Sequence, residues 1–282
     1  MELPEGFERF EVQGAVLVLR AGLSRPLLEA GVHDPEGLVA RSPSALQGRS
    51  RLARIELADG GRALVRCLHR GGLLGRLVRR LSFDPQRALD ELLVSARAAA
   101  RGARVLEVLG AVSRPAGLVG WHHGLITREV EGAFDLQRVL RTTPPGPDRA
   151  RALAAAGQAV ARLHQAGVDH VDLNLKNVLL PPHGEALVID LDRCRIAPAP
   201  AAARVVEDNL LRLLRSWHKL SAAEPQAVRP RDPFLFLRAY AAGQRPLRRR
   251  LVALGRSRTF FWRRLLWGLR PPRLEPLPGP PA

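Results

Sequence analysis

The chain has 282 residues, 46% hydrophobic and 25% charged, which is the make-up of an ordinary globular protein and excludes a wholly disordered or fibrous one. That length suggests two domains or one two-lobed domain. With 44 Lys+Arg against 27 Asp+Glu the formal net charge is +17, which predicts attraction to a polyanion such as nucleic acid, an acidic membrane surface or a phosphorylated substrate without choosing among them. Lys176 and Lys219 are the only lysines, so part of the excess is a compositional preference for Arg. Cys67 and Cys194 form neither a disulfide framework nor a CxxC metal spacing and are expected to be small buried hydrophobes in a reducing compartment. The start, MELPEGFERFEVQG, lacks the basic and apolar regions of a signal peptide, and no apolar run approaches the roughly 20 residues that span a bilayer. A cytoplasmic location with at most peripheral membrane contact is therefore expected.

In chain order, the first part is strand-rich. Ala15–Arg20 is a short apolar run, and Leu52–Leu57, Asp59-Gly60-Gly61 and Ala63–Leu68 have the form of a hairpin. Arg87–Ala100 places Leu89, Leu92, Leu93 and Ala96 at helical spacing ahead of Gly102. Val105–Val112, Gly117–Trp121 and Leu125–Val130 suggest further strands, with His122-His123-Gly124 as a turn between the last two. From Leu136 the pattern becomes helical: Leu136–Leu140, a Pro/Gly linker over Thr142–Pro147, then Arg149–Gln165 closed by Gly167. Val178–Leu180 and Ala186–Leu191 flank Pro181-Pro182-His183-Gly184 as a small hairpin, followed by helices over Asn209–Leu220 and Phe234–Ala242. In Gly255–Leu269, Phe261, Trp262, Leu265, Leu266 and Leu269 fall opposite Arg256, Arg263, Arg264 and Arg270, an amphipathic basic helix suited either to an anionic bilayer interface or to packing as the last helix of the helical part. A Pro-rich tail ends the chain.

The chemistry concentrates in His170-Val171-Asp172-Leu173-Asn174-Leu175-Lys176-Asn177 and, thirteen residues after Asn177, Ile189-Asp190-Leu191-Asp192. Phosphoryl transfer needs a carboxylate to orient the acceptor hydroxyl and oxygen ligands for the magnesium ions on the phosphates. Asp172, Asn177 and Asp190 supply that set. Taken singly, each would pass for a turn residue or a strand end. Together, on a loop after a helix and before a hairpin, they resemble the H-x-D-x-x-x-x-N and D-x-x segments of the protein-kinase-like superfamily. His170 is expected to brace this loop through hydrogen bonds, and there is no HExxH or Cys/His cluster to suggest zinc.

That resemblance implies an α+β, two-lobed protein-kinase-like fold, with an antiparallel-sheet N-lobe over 1–131, a mainly helical C-lobe over 132–272 and a tail over 273–282. Ala63-Leu64-Val65-Arg66 stands where the strand motif V-A-I-K would be, so Arg66 replaces the phosphate-gripping lysine and Glu91 is its implied helix partner. Arg has a larger, planar head of fixed charge and is not a neutral replacement. Gly48 is the single glycine where a phosphate-covering loop would have three. Adenine is expected against Thr127–Gly132, with Glu129 in the cofactor-binding set.

Asn174 stands two residues after Asp172, where protein kinases usually carry Lys, which disfavours a protein substrate. The combination Asp172-Leu173-Asn174-Leu175-Lys176-Asn177 with Ile189-Asp190-Leu191-Asp192-Arg193 is similar to the lipopolysaccharide core kinases, a family of Kdo (3-deoxy-D-manno-octulosonic acid) and heptose kinases. Arg66-Cys67-Leu68-His69-Arg70-Gly71-Gly72-Leu73 resembles that family's basic segment after the third strand. The resemblance covers roughly Ser44 to Arg195. It implies ATP- and Mg2+-dependent phosphorylation of a sugar hydroxyl, Kdo foremost, on the inner core attached to lipid A, at the cytoplasmic face of the inner membrane. Asp172 would be the catalytic residue, Asn177 and Asp190 the metal ligands, and Arg70, Asn174, Asp192, Arg193 and Arg195 the contacts to an anionic glycolipid substrate. No nucleic-acid partner is expected. The alternatives are another phosphotransferase of this fold, acting on heptose, an aminoglycoside or a protein, and a catalytically silent binding module.

Overall fold

The computed structural model describes residues 3–42, 52–68, 83–117, 120–242 and 245–256. Gly48, Arg70 and the part of the expected terminal helix beyond Arg256 lie outside the described residues. The chain divides into two compact units, one taking in Met1–Arg97, Leu106–Val130 and Leu191–Arg193, the other Ala98–Val105, Glu131–Asp190 and Cys194–Ala282.

The first unit is built on β1 (Phe7–Val12), β2 (Ala15–Arg20), α1 (Ser24–Glu29), α2 (Pro35–Arg41), β3 (Leu52–Glu56), β4 (Arg62–Cys67), α3 (Arg87–Ala100), β5 (Val108–Ala116) and β6 (Gly120–Arg128). Its strands form one six-stranded sheet in the order β1-β2-β5-β6-β4-β3, every neighbouring pair antiparallel. Apolar residues point to both faces. Leu17, Leu19, Ala63, Val65 and Ile126 pack with Leu27 and Val39 of α1 and α2, whereas Val18, Ala111 and Leu125 pack with Ala88 and Leu92 of α3. A sheet covered on both faces needs unbroken apolar strands, which is why Ala15–Leu19 shows no polar alternation. The same period of two turns Arg66 away from Val65 and toward the α3 face.

In this unit the structure adds elements absent from the sequence expectations and changes one of those expectations. Phe7–Val12 is a strand, paired with β2 through Gln13 and Gly14, whose φ values of 51° and 75° are those of a two-residue hairpin turn. Segments around Leu27 and Val39 are helices, α2 being capped by the Asp34 carboxylate on the Gly37 N–H at 3.2 Å. Finally, His122-His123-Gly124 is not a turn: β6 runs unbroken through it, opposite Arg114, Ser113 and Val112 of β5. The sheet tolerates a buried imidazole there because both ring nitrogens are satisfied, Nδ1 by Ser113 Oγ at 2.9 Å and Nε2 by the Asp84 carbonyl at 2.9 Å.

The second unit holds β7 (Phe134–Asp135), α4 (Leu136–Thr142), α5 (Pro147–Gln165), β8 (Val168–Asp169), β9 (Val178–Leu180), β10 (Leu187–Val188), β11 (Arg195–Ile196), α6 (Ala203–Ala223), α7 (Asp232–Tyr240) and α8 (Arg245–Arg256). Leu153, Ala156, Val160 and Leu163 form the buried stripe of α5. Gly157 lets α7 approach it: a Cβ there would lie 2.4 Å from the Phe236 carbonyl oxygen. A buried ion pair ties the same helices, Arg149 donating to both Asp232 oxygens and to the carbonyls of Leu140, Thr143 and Ala227. The short strands form two small antiparallel sheets, β10-β9-β7 and β11-β8. Only Leu187–Val188 of the expected strand Ala186–Leu191 is extended and paired, because Asp190 takes a left-handed φ of 66° and ends it. No helix of the described residues is long and apolar enough to cross a membrane.

Candidate active site

The turn after α5 aims the chain into the loop His170–Asn177. Gly167, at φ 83°, donates its N–H to the His164 carbonyl, and the strand pair β8–β11 sets Asp169 opposite Arg195. His170 follows and is wholly buried. Its Nδ1 faces the Asp172 N–H at 3.4 Å, so Nε2 is the nitrogen that carries the proton and donates to the Ile189 carbonyl at 3.1 Å. Burial pushes its pKa down, against the opposing pull of the Ile189 hydrogen bond and of Asp190 and Asp172, and keeps the ring neutral.

Around this ring the loop is stitched by side-chain amides. Asn177 Nδ2 and Asn174 Nδ2 each donate to the Asp172 carbonyl at 2.9 Å, and Asn174 Nδ2 also lies 3.4 Å from Asp172 Oδ2. Asn174 Oδ1 in turn accepts from the Lys176 N–H at 2.9 Å, starting the single helical turn Leu175–Asn177. Ser216 of α6 caps the Leu175 N–H at 3.2 Å. The second segment docks through Ile189, whose N–H donates to the Asn177 carbonyl at 3.0 Å while its carbonyl takes the His170 proton. Both main-chain groups of the residue before Asp190 are thus fixed to the loop that carries Asp172 and Asn177. Asp172 itself is exposed, Asn177 is 7% exposed and Asp190 is half-buried. Because Nδ2 of Asn177 is used on the Asp172 carbonyl, Oδ1 is the amide atom not engaged in that bond.

In the first unit, Arg66 on β4 pairs with Glu91 on α3, a carboxylate only 2% exposed. One turn earlier on the same helix, Arg87 grips Asp192 with two parallel hydrogen bonds, Nε to Oδ1 at 3.0 Å and Nη2 to Oδ2 at 2.7 Å. Burial works to raise the Asp192 carboxyl, and the hydrogen bonds and charge of Arg87, with Arg193 and Arg66 behind them, outweigh it and hold the group below the usual carboxylate range. Asp192, expected as a substrate contact, therefore has both oxygens engaged inside the protein. Glu129, expected near adenine, is likewise bound from two sides, by Arg54 at 2.6 Å and Arg62 at 3.0 Å, and its N–H donates to the Arg62 carbonyl. Arg193 and Arg195 are exposed, Arg193 with its Nε 3.8 Å from Asp192.

Sequence reading missed the role of Arg87. The signal available was its position four residues before Glu91, which puts both side chains on one helix face, but nothing in the sequence pointed that face at Asp192.

Over most of the chain the fold is similar to a solved structure of WaaP in complex with acyl carrier protein, with a TM-score of 0.56 and 24% identity, covering 87% of this chain and 98% of that one. Antiparallel sheet, helical unit and loop are those of a kinase-like fold. More narrowly, the chain belongs to the lipopolysaccharide kinase (Kdo/WaaP) family, whose model matches residues 41–240. Among its relatives, the 3-deoxy-D-manno-octulosonic acid kinase of Vibrio parahaemolyticus is 29% identical over 200 residues, spanning 70% of this chain and 79% of that protein. The enzyme of the same name from Xylella fastidiosa is 29% identical over 217 residues, spanning 76% and 84%.

Proposed function

We propose that this lipopolysaccharide core kinase transfers phosphate from ATP, with magnesium, to a hydroxyl of Kdo on the lipid A-linked inner core. The observation that carries the reading is the docking of Ile189 against His170 and Asn177, which holds Asp190 to the loop of Asp172 and Asn177. Asp172, exposed and steered by Asn174, orients the acceptor hydroxyl and takes its proton as the oxygen attacks. Asn177 Oδ1 and Asp190 would hold the metal. Among the described residues no three His, Cys, Asp or Glu side chains gather into a metal cage, and magnesium does not require one, since it is bound through one or two carboxylates together with substrate phosphates and waters. Two hard oxygen donors fit that pattern. When bound there, ATP would supply the phosphoryl group, its terminal P–O bond breaking to release ADP, and magnesium would neutralise the charge on the phosphate oxygens. Arg66, steadied by Glu91, would grip the phosphates of bound ATP, with a head that stays charged at every working pH. The exposed Arg193 and Arg195 contact carboxylate or phosphate of the glycolipid, and the net charge of +17 favours an anionic membrane surface on the cytoplasmic side.

The test is mass spectrometry of Kdo-lipid A incubated with the protein, ATP and magnesium, beside heptosylated core and an aminoglycoside. A gain of one phosphate on Kdo is expected. Asp172→Ala should lower the rate by about 100- to 10,000-fold, the usual range for a lost general base, while circular dichroism shows an intact fold. Undiminished transfer by that variant, or phosphate found only on another acceptor, would refute the assignment.

A further inference from the structure

Asp192 stands between two residues in left-handed backbone conformation: Asp190, two positions before it, has φ 66° and Arg193, next after it, has φ 58°. Neither is a glycine, so the turn Asp190–Arg193 is a conformation that L side chains adopt reluctantly and that persists only where the surroundings hold it. Arg87 binds this turn at Asp192. Its guanidinium is 9% exposed and meets Asp192 in a planar, two-bond pair, the geometry that fixes a carboxylate in both position and orientation. Arg87 also feels Glu91, four residues along α3, and Glu91 holds Arg66. Arg66, Glu91, Arg87 and Asp192 are thus one continuous set of charges within the first unit, and the set ends two residues from Asp190.

We propose that Arg87 and Asp192 are a positioning pair, which holds the turn after Asp190 so that the Asp190 carboxylate is presented to the metal, and that Asp192 does not contact the sugar. This rests on Asp190 being a metal ligand, as proposed above. Partners that orient a metal ligand from behind change metal affinity by about 10- to 100-fold when they are lost. A substrate contact would change the acceptor requirement instead.

Isosteric Asp192→Asn, which weakens the pair without emptying space, and Arg87→Lys, which keeps the charge but loses the fork, are the variants to use. Two quantities are read: the magnesium concentration that half-saturates calorimetric ATP binding, and the KM for Kdo-lipid A. In both variants the half-saturating magnesium concentration should rise by about 10-fold or more with the acceptor KM changed less than about twofold. The charge-exchanged double variant Arg87→Asp with Asp192→Arg should recover part of the loss seen in Arg87→Asp alone. Unchanged magnesium dependence in folded Asp192→Asn overturns the proposal, and a raised acceptor KM in its place returns Asp192 to the substrate. Should the unaltered protein bind no ATP with magnesium, the kinase reading falls and the proposal with it. Should it bind ATP but leave Kdo-lipid A untouched, only the acceptor is wrong, and the magnesium readout still decides the pair.

Discussion

The two units hold their polar side chains by different physics. In the first unit charges are held by charges: Arg66 by Glu91, Asp192 by Arg87, Glu129 by Arg54 and Arg62, most of them half-buried or deeper. In the second unit the loop around Asp172 is held by neutral groups, a buried imidazole and two side-chain amides acting on the backbone, and the Asp172 carboxylate stands exposed. Ion pairs fix a side chain strongly but fail badly when one partner is lost, because the other is left as an uncompensated charge. Neutral hydrogen bonds share the holding among several groups, so a single loss does less.

The largest expected effect follows from removing a charge in the first unit. Glu91→Ala would leave Arg66 and Arg87 facing each other across a buried site. A broken buried pair costs about 3–5 kcal/mol, and since the Arg66 side chain is 30% exposed the expected loss is nearer 2–3 kcal/mol, measured as a shift in urea unfolding. A change below about 0.5 kcal/mol would show that the network is a surface feature, and the contrast between the two units would disappear.

The second expectation concerns acid. His164, at the end of α5, is buried against the Tyr240 hydroxyl at 2.9 Å, and burial foremost, with the neighbouring His170 disfavouring a second proton in the same core, pushes its pKa from 6.5 to about 3. His170 and His123 are also lowered, chiefly by burial. The unfolded chain therefore takes up protons below about pH 6.5 that the folded protein refuses, so stability is complete above that pH and is lost as pH falls toward 3. Each such histidine contributes a slope of up to about 1.4 kcal/mol per pH unit. Urea midpoints measured from pH 7 down to pH 5 should fall, and His164→Gln should flatten the curve. A midpoint independent of pH across that range would mean these rings are not buried neutral.

How much of this was legible beforehand depends on what kind of interaction does the holding. Strand and helix periods placed Ala15–Arg20, the hairpin around Asp59-Gly60, Arg87–Ala100 and Val178–Leu180 where they are, because those segments bury what their patterns offer. The unbroken β6 was not legible: His122-His123-Gly124 has the composition of a turn, and only the Ser113 and Asp84 partners, distant in sequence, make a buried imidazole acceptable in mid-strand. The loop His170–Asn177 could be read because its ties are local, i to i+2 and i to i+5. The Arg87–Asp192 pair could not, since its partners are 105 residues apart and each looks like an ordinary surface charge until the fold brings them together.

The smallest expected effect tests the neutral loop at its weakest tie. Asn174 gives Asp172 one firm hydrogen bond at the carbonyl and one long one at Oδ2, and it caps Lys176. Asn174→Ala removes all three, yet Asn177 still holds the Asp172 carbonyl and His170 still takes the Asp172 N–H. The backbone should therefore stay in place, with stability lowered by about 1 kcal/mol, the net worth of a hydrogen bond. What is lost is the steering of the carboxylate, so kcat should fall about 3- to 10-fold with the magnesium requirement unchanged, as expected for roughly one such bond. A fall of 1,000-fold would mean that Asn174 carries the loop by itself, and the shared-holding account of this unit would fail. A raised acceptor KM at constant kcat would place Asn174 on the sugar instead, acting on binding and not on the orientation of the base.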